Sequence, residues 1–314
     1  MKYINQGNKA GRIGFGEGLL EAAKLNPNIV ALGADITTSV GMHLFEEAFP
    51  NRFFSFGIAE QNIAAASTGL FLGGKIPVFS TYGVFAAHRA ADQIRVSICY
   101  NKAHVLIGGA HAGISVGPDG ATHQALEDIA SMRVLPNMTV FSPCDATQAK
   151  QATIEALLNQ KGPVYIRFGR EAVPNFITDK HSFIPGKAQI LKEGKDITII
   201  ATGHLVWEAL LAAEKLEQQG FEAEVVNIHT IKPIDVETII QSAKKTKKVI
   251  TAEEHQIIGG LGSAVAEVLS QHQPTIMRMI GIKNTFGESG EANELMDIYG
   301  LRAINIVEKA IELL

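Results

Sequence analysis

The sequence predicts an α/β protein of two doubly wound domains. Short apolar runs of strand length alternate with helix-length segments along most of the 314 residues. The run over 29–33 is apolar throughout, as in strands covered on both faces of a parallel sheet. The pattern lapses once, between 173 and 196, where Pro174, Pro185, Gly186 and Gly194 gather among alternating charges, as interdomain linkers do. The domains are therefore expected over 1–176 and 196–314, with a linker over 177–195, which fits the usual size of about 150 residues per domain.

Composition narrows the function. Lys plus Arg total 28 against 32 for Asp plus Glu, a net charge of -4, so the whole chain carries no electrostatic footprint for nucleic acid and a small substrate is expected. The first seven residues lack the apolar core of a signal peptide and no apolar run approaches the ~18 residues of a membrane span. A soluble cytoplasmic protein is the expectation. Cys99 and Cys144 have no CxxC spacing and read as packing residues, not as a disulfide or zinc ligands.

In chain order, the glycine-rich stretch Gly14-Phe15-Gly16-Glu17-Gly18 has GxGxG spacing with no strand expected before it, which argues against a dinucleotide fingerprint. A buried strand over 29–33 leads into a polar loop, Asp35 to Ser39, of the kind that holds ligands at the carboxyl ends of α/β strands. The aromatic run over 53–56 reads as another buried strand, ending at Gly57, and a small-residue helix follows over 62–72. Strands over 76–79 and 104–107 flank a helix over 83–100. After a long loop over 111–124 come a helix to Arg133, a strand over 138–141, a helix over 146–158 and a strand over 164–167. The second domain repeats the alternation with strands over 197–200, 223–226, 249–252 and 275–279 and helices over 207–219, 236–245 and 263–269. Lys244, Lys245, Lys247 and Lys248 close one of these helices, where cations offset the carbonyl end of the dipole.

Two places could do chemistry. Glu60 opens the helix after Gly57, and Tyr82, Phe85 and His88 recur at three-residue spacing, which on a helix would present one face for a flat ligand. A glutamate in a first turn also has the plain explanation of complementing the helix dipole. The loop from His111 to His123 sets two histidines and Asp119 among glycines. Gly113-Ile114-Ser115-Val116-Gly117 matches the GxSxG string of a nucleophile elbow, but Pro118 and Gly120 break the helix that such an elbow requires. A metal site from His111, Asp119 and His123 lacks any HxxxH geometry. Proton transfer and hydrogen bonding to a polyhydroxylated substrate suit histidines that titrate near neutrality.

Four strings, 57–62 (GIAEQN), 80–85 (STYGVF), 117–124 (GPDGATHQ) and 253–262 (EEH…GGLG), together resemble the C-terminal half of the transketolase family over essentially the whole chain. Deoxyxylulose-phosphate synthase and the beta subunits of 2-oxoacid dehydrogenases share that superfamily. The resemblance implies a pyrimidine-binding domain followed by a smaller transketolase C-terminal-like domain, the separate C-terminal subunit of a split transketolase. It also implies thiamine diphosphate seated between this chain and a second one. By position Glu60 matches the catalytic carboxylate that hydrogen-bonds the aminopyrimidine, and Tyr82, Phe85 and His88 match the pocket around it, with His88 where transketolases usually have Tyr. His111, Asp119 and His123 match substrate-binding positions, His111 and His123 also as proton shuttles. Arg12, Ser39 and Arg170 match positions that hold a sugar phosphate, although Arg170 also reads as an ordinary turn residue. Ala112, Gly113 and Pro118 depart from the commoner Asp, Ser and Glu, which leaves the donor sugar open.

No Gly-Asp-Gly string occurs in the chain. By the resemblance, the diphosphate and its Mg²⁺ (or Ca²⁺) are then expected on an N-terminal transketolase subunit carrying that motif, with two copies of each chain and no metal held here. The activity implied is transfer of a two-carbon ketol unit from a ketose phosphate to an aldose. A deoxyxylulose-phosphate-synthase-like or 2-oxoacid-decarboxylating beta subunit and a non-catalytic regulatory or scaffold subunit remain the alternatives.

Overall fold

A computed structural model describes residues 3–178 and 181–314; Met1, Lys2, Asp179 and Lys180, at the N-terminus and within the expected linker, lie outside it. The first domain is organised on a seven-stranded sheet in the order Thr230–Lys232, Thr139–Phe141, Val164–Arg167, Leu106–Ala110, Ile76–Tyr82, Ile29–Gly33, Phe53–Ser55. All neighbours run parallel except Thr230–Lys232, which the second domain lends as an antiparallel edge. Ile29–Gly33, Leu106–Ala110 and Val164–Arg167 are buried along their whole length, which is why the first two carry no polar side chain and the third is apolar or aromatic up to Arg167, whose charge is paired with Asp128.

One face of the sheet is covered by helices Gly11–Leu25 and Ala146–Leu158, through Phe15, Leu19, Ala152 and Ala156. The glycine run is what lets these elements close up: a Cβ at Gly14 would stand 1.9 Å from the Ala146 carbonyl oxygen, and one at Gly16 2.1 Å from that of Gly41. The absence of a dinucleotide fingerprint thus acquires a positive reason. A strand does precede the run, contrary to expectation, but Asn8–Ala10 pairs only with Ala172–Pro174, apart from the main sheet. On the opposite face Ile63, Ile94, Ile98 and Ile129 pack in a core that continues into the second domain through Ile200, Val226 and Leu261.

The second domain holds five strands in the order Ile276–Ile282, Lys248–Gln256, Ile197–Ala201, Ala223–Asn227, Gln189–Lys192, parallel but for the last. That last strand corrects the linker: 189–192 belongs to the second sheet. Helices Ala292–Ile298 and Ala303–Ile311 complete the domain and were not expected. Helix Val236–Thr246 ends at Lys247 in a left-handed conformation, φ 58°, and Lys245 pairs with Glu193 and Glu224. Both cysteines are free and buried. Among the described residues no helix is long and apolar enough to cross a membrane.

Two further expectations need correction. The aromatic run is no buried strand: Phe53–Ser55 pairs only with Ile29–Gly33 at the sheet edge, and Phe54 is 42% exposed. The helix over 83–100 is not uniformly α-helical, since wide π turns occupy Phe85–Arg89 and Ile94–Cys99 on either side of Ala91–Gln93.

Candidate active site

Glu60 is the first residue of helix Glu60–Leu72, reached through a turn in which Gly57 takes φ 70°. Only 2% of it is exposed. Its Oε2 accepts from Arg89 Nη1 at 2.9 Å and its Oε1 from Thr81 Oγ1 at 3.3 Å. The carboxylate is thus buried with a guanidinium on one oxygen and a neutral hydroxyl on the other, and the positive end of a helix dipole behind it. Arg89 also lies over the Phe85 ring, 4.0 Å from its centroid, as a cation–π pair.

The aromatic wall is assembled differently from the expected single helical face. Strand Ile76–Tyr82 runs on to pair Tyr82 with Ala110, so Tyr82 ends a strand while Phe85 and His88 sit in the π turn. Tyr82 and Phe85 nevertheless meet, with ring centroids 5.9 Å apart. His111 lies 4.3 Å from the Tyr82 ring, and His123 lies 5.6 Å from Tyr82 and 5.4 Å from Phe85. His88 faces Glu127, with Nε2 3.7 Å from its carboxylate, which raises the His88 pKa while burial opposes the rise.

The loop after strand Leu106–Ala110 brings in the polar groups. His111 has φ 53°, is buried, and its Nδ1 has no hydrogen-bond partner. Burial pushes its pKa down to about 4, and Arg12, Arg170 and His123 push the same way while Asp119 opposes them. Those influences reflect convergence: Arg170 Nη1 donates to the Val116 carbonyl at 3.0 Å and to Asp119 Oδ1 at 3.2 Å, and Arg12 Nη1 donates to the Ser39 carbonyl at 3.0 Å. His123 Nδ1 lies 2.9 Å from Thr122 Oγ1. Arg12, His111, Asp119, His123 and Arg170 therefore share one neighbourhood next to Tyr82 and Phe85, and Ser39 joins it through its backbone.

Gly113, Gly117 and Gly120 take φ of 93°, 79° and 73°, giving tight turns around Ile114–Asp119 in place of the strand-to-helix elbow of a hydrolase. Ser115 is buried and its amide donates to Glu254 Oε1. Among the described residues no group of three or more His, Cys, Asp and Glu is arranged to hold a metal ion.

Several residues of this neighbourhood escaped the sequence reading. Arg89 is one residue beyond the His88 position and, from the π turn over Phe85–Arg89, reaches Glu60. Glu254 was visible in a motif but without a role. Arg167 closes the assembly from behind, with Nε on both oxygens of Asp128 at 3.1 and 3.0 Å and Nη2 on the carbonyls of Ala125 and Glu254 at 3.2 and 2.6 Å.

Known proteins are similar to this chain over both domains. The family described as the transketolase pyrimidine-binding domain matches residues 9–175, and that described as the transketolase C-terminal domain matches residues 186–306. A 6-deoxy-6-sulfo-D-fructose transketolase subunit from Clostridium sp. (strain MSTE9) is 42% identical over 294 residues, 94% of this chain and 91% of that protein. A 1-deoxy-D-xylulose-5-phosphate synthase from Desulfitobacterium hafniense is 39% identical over 94% of this chain but only 47% of its own length. Among solved structures, one described as a split gene transketolase, inactive beta4 tetramer, superposes with a TM-score of 0.90 at 48% identity, over 96% of this chain and 97% of that one.

Proposed function

The chain belongs to the transketolase family, whose C-terminal half it matches, and from that premise we propose that it is the pyrimidine-binding subunit of a thiamine-diphosphate-dependent ketol transferase. The observation that carries the proposal is Glu60, a buried carboxylate whose guanidinium partner, Arg89, lies over the Phe85 ring of the cluster. The residues present fit a flat, proton-sharing heterocycle: Tyr82 and Phe85 offer ring faces, and Glu60 offers an oxygen, Oε1, whose bond to Thr81 is a long 3.3 Å and exchangeable. When bound, the cofactor supplies the nucleophilic carbon and the electron sink. Glu60 then holds or passes a proton at the pyrimidine ring, fixed in place by Arg89.

The other residues act on the sugar. His111 is uncharged at neutral pH, because its pKa lies near 4, and its unpartnered Nδ1 is free to hydrogen-bond a substrate hydroxyl. His123 and Asp119 extend that polar lining from the same loop, with His123 available for proton transfer. Arg12 and Arg170 supply planar, permanently charged forks for the anionic end of a ketose phosphate, with Ser39 beside Arg12. His88 serves at the outer edge of the cofactor pocket, oriented by Glu127.

The diphosphate and its Mg²⁺ (or Ca²⁺) fall to an N-terminal subunit bearing the Gly-Asp-Gly motif that this sequence lacks, with two copies of each chain in the cytoplasmic complex. The related chain described as an inactive beta4 tetramer supports silence of this one alone. The test is to add thiamine diphosphate and Mg²⁺ to this chain alone, then titrate the N-terminal subunit. Ketol transfer should appear only with the partner and saturate at one-to-one, whereas turnover by the lone chain overturns the proposal. A donor panel that includes pyruvate separates this reading from the decarboxylating one, which the 39% identity to a deoxyxylulose-phosphate synthase keeps in view.

A further inference from the structure

We propose that Glu254 is the positioning residue of the substrate loop: a carboxylate of the second domain set behind Gly113–Ser115 that holds the segment from His111 to His123 in register. This rests on the function proposed above for that loop. Glu254 lies on strand Lys248–Gln256 and is 4% exposed. Its Oε1 accepts from the Ser115 amide at 2.5 Å, and its Oε2 stands 3.0 Å from His204 Nδ1 at the start of helix Leu205–Glu217. The loop is pressed onto the carboxylate. A Cβ at Gly113, where φ is 93°, would fall 2.2 Å from the Glu254 carboxyl carbon, so backbone can cross there only without a side chain.

The surrounding bonds show that the carboxylate acts on a closed ring of backbone. The Gly113 amide donates to the Ala125 carbonyl at 2.9 Å, which joins the two ends of the loop. Arg167 Nη2 then bonds both the Ala125 and the Glu254 carbonyls, tying the neck of the loop to the Glu254 strand. At the far side Gln124 Nε2 donates to the Ile114 carbonyl at 3.2 Å and to the Glu288 carbonyl at 2.9 Å, so the second domain also touches the rim. Of the second-domain groups in these contacts only the Glu254 carboxylate is charged, and it fixes an amide that would otherwise be buried without a partner. Glu254 meets no reacting group itself; it acts through His111, Asp119 and His123.

The test uses Glu254→Ala and Glu254→Gln in the complex with the N-terminal subunit. Alanine should raise KM for the ketose donor at least tenfold while leaving thiazolium proton exchange within twofold of wild type. Glutamine, whose side-chain oxygen still accepts from Ser115, should restore most of the affinity. Amide hydrogen exchange over 111–124, measured on this chain alone, should speed up at least tenfold with alanine and stay near wild type with glutamine. If the alanine variant does not fold, Glu254→Asp, shorter by one methylene, takes its place in the same contrast. Wild-type loop exchange and wild-type KM in the alanine (or aspartate) variant overturn the proposal, as does an equal fall in cofactor activation. If no ketose is turned over even by the wild-type complex, the functional reading fails, and loop exchange still decides the role of Glu254.

Discussion

Replacing Arg167 with Met should cost about 4–8 kcal/mol of stability. Arg167 is 5% exposed and Asp128 is wholly buried, so the substitution strands a carboxylate whose remaining donor is the Tyr165 hydroxyl at 2.8 Å. Removing one partner of a buried ion pair costs about 3–5 kcal/mol. The carbonyls of Ala125 and Glu254 lose their shared donor as well, at roughly 0.5–1.5 kcal/mol per hydrogen bond. Against a typical total of about 5–15 kcal/mol this is a large fraction. A urea titration followed by both fluorescence and circular dichroism measures it. The companion variant, Arg167→Met with Asp128→Leu, removes the stranded charge and should recover most of the loss. A single variant that loses less than about 1 kcal/mol, or a double variant no more stable than the single, refutes the reasoning.

Acidification should weaken the wild type relative to His111→Gln. The folded-state pKa of His111, about 4, lies below its ordinary value of 6.5, so the neutral ring contributes stability that is complete above pH 6.5 and drains away as pH falls toward 4. By pH 5 that amounts to about 2 kcal/mol, and equal pH slopes for the two proteins would contradict it. Glu253, pushed up to about 7 by burial although the Leu261 and Gly262 amides oppose the rise, contributes with the opposite sign between pH 7 and 4.5 in both proteins and cancels in their difference. Arg12→Ala and Arg170→Ala should each weaken phosphorylated donors by about 1.5–3 kcal/mol in kcat/KM and leave unphosphorylated analogues nearly unchanged. Equal losses for both donor classes would dismiss the phosphate role.

The strands were legible where burial on both faces forces an apolar run, as at Ile29–Gly33. Phe53–Ser55 misled because aromatic residues are as favourable on an edge strand as in a core, and only the pairing reveals which. Gln189–Lys192 is an antiparallel edge with one buried residue in four, too weak a pattern to separate from the linker around it. Glu60 stood out because a carboxylate between a glycine turn and an apolar helix is unusual. Its partner did not, since Arg89 and Glu60 are 29 residues apart and meet across two different elements, a pairing that local spacing does not encode. Glu254 and Ser115 are separated by 139 residues, a pairing that no local spacing encodes.

The most direct test of the account is thiazolium proton exchange, followed by NMR in the complex of this chain with its N-terminal partner, for wild type and Glu60→Gln. Glutamine keeps the size and can still accept from Arg89, but it carries no proton. Exchange should slow by about 10²–10⁴, the range for a positioned acid–base group, with thiamine diphosphate still bound. Exchange at the wild-type rate in the Glu60→Gln complex would contradict the assignment of Glu60 and with it the central claim.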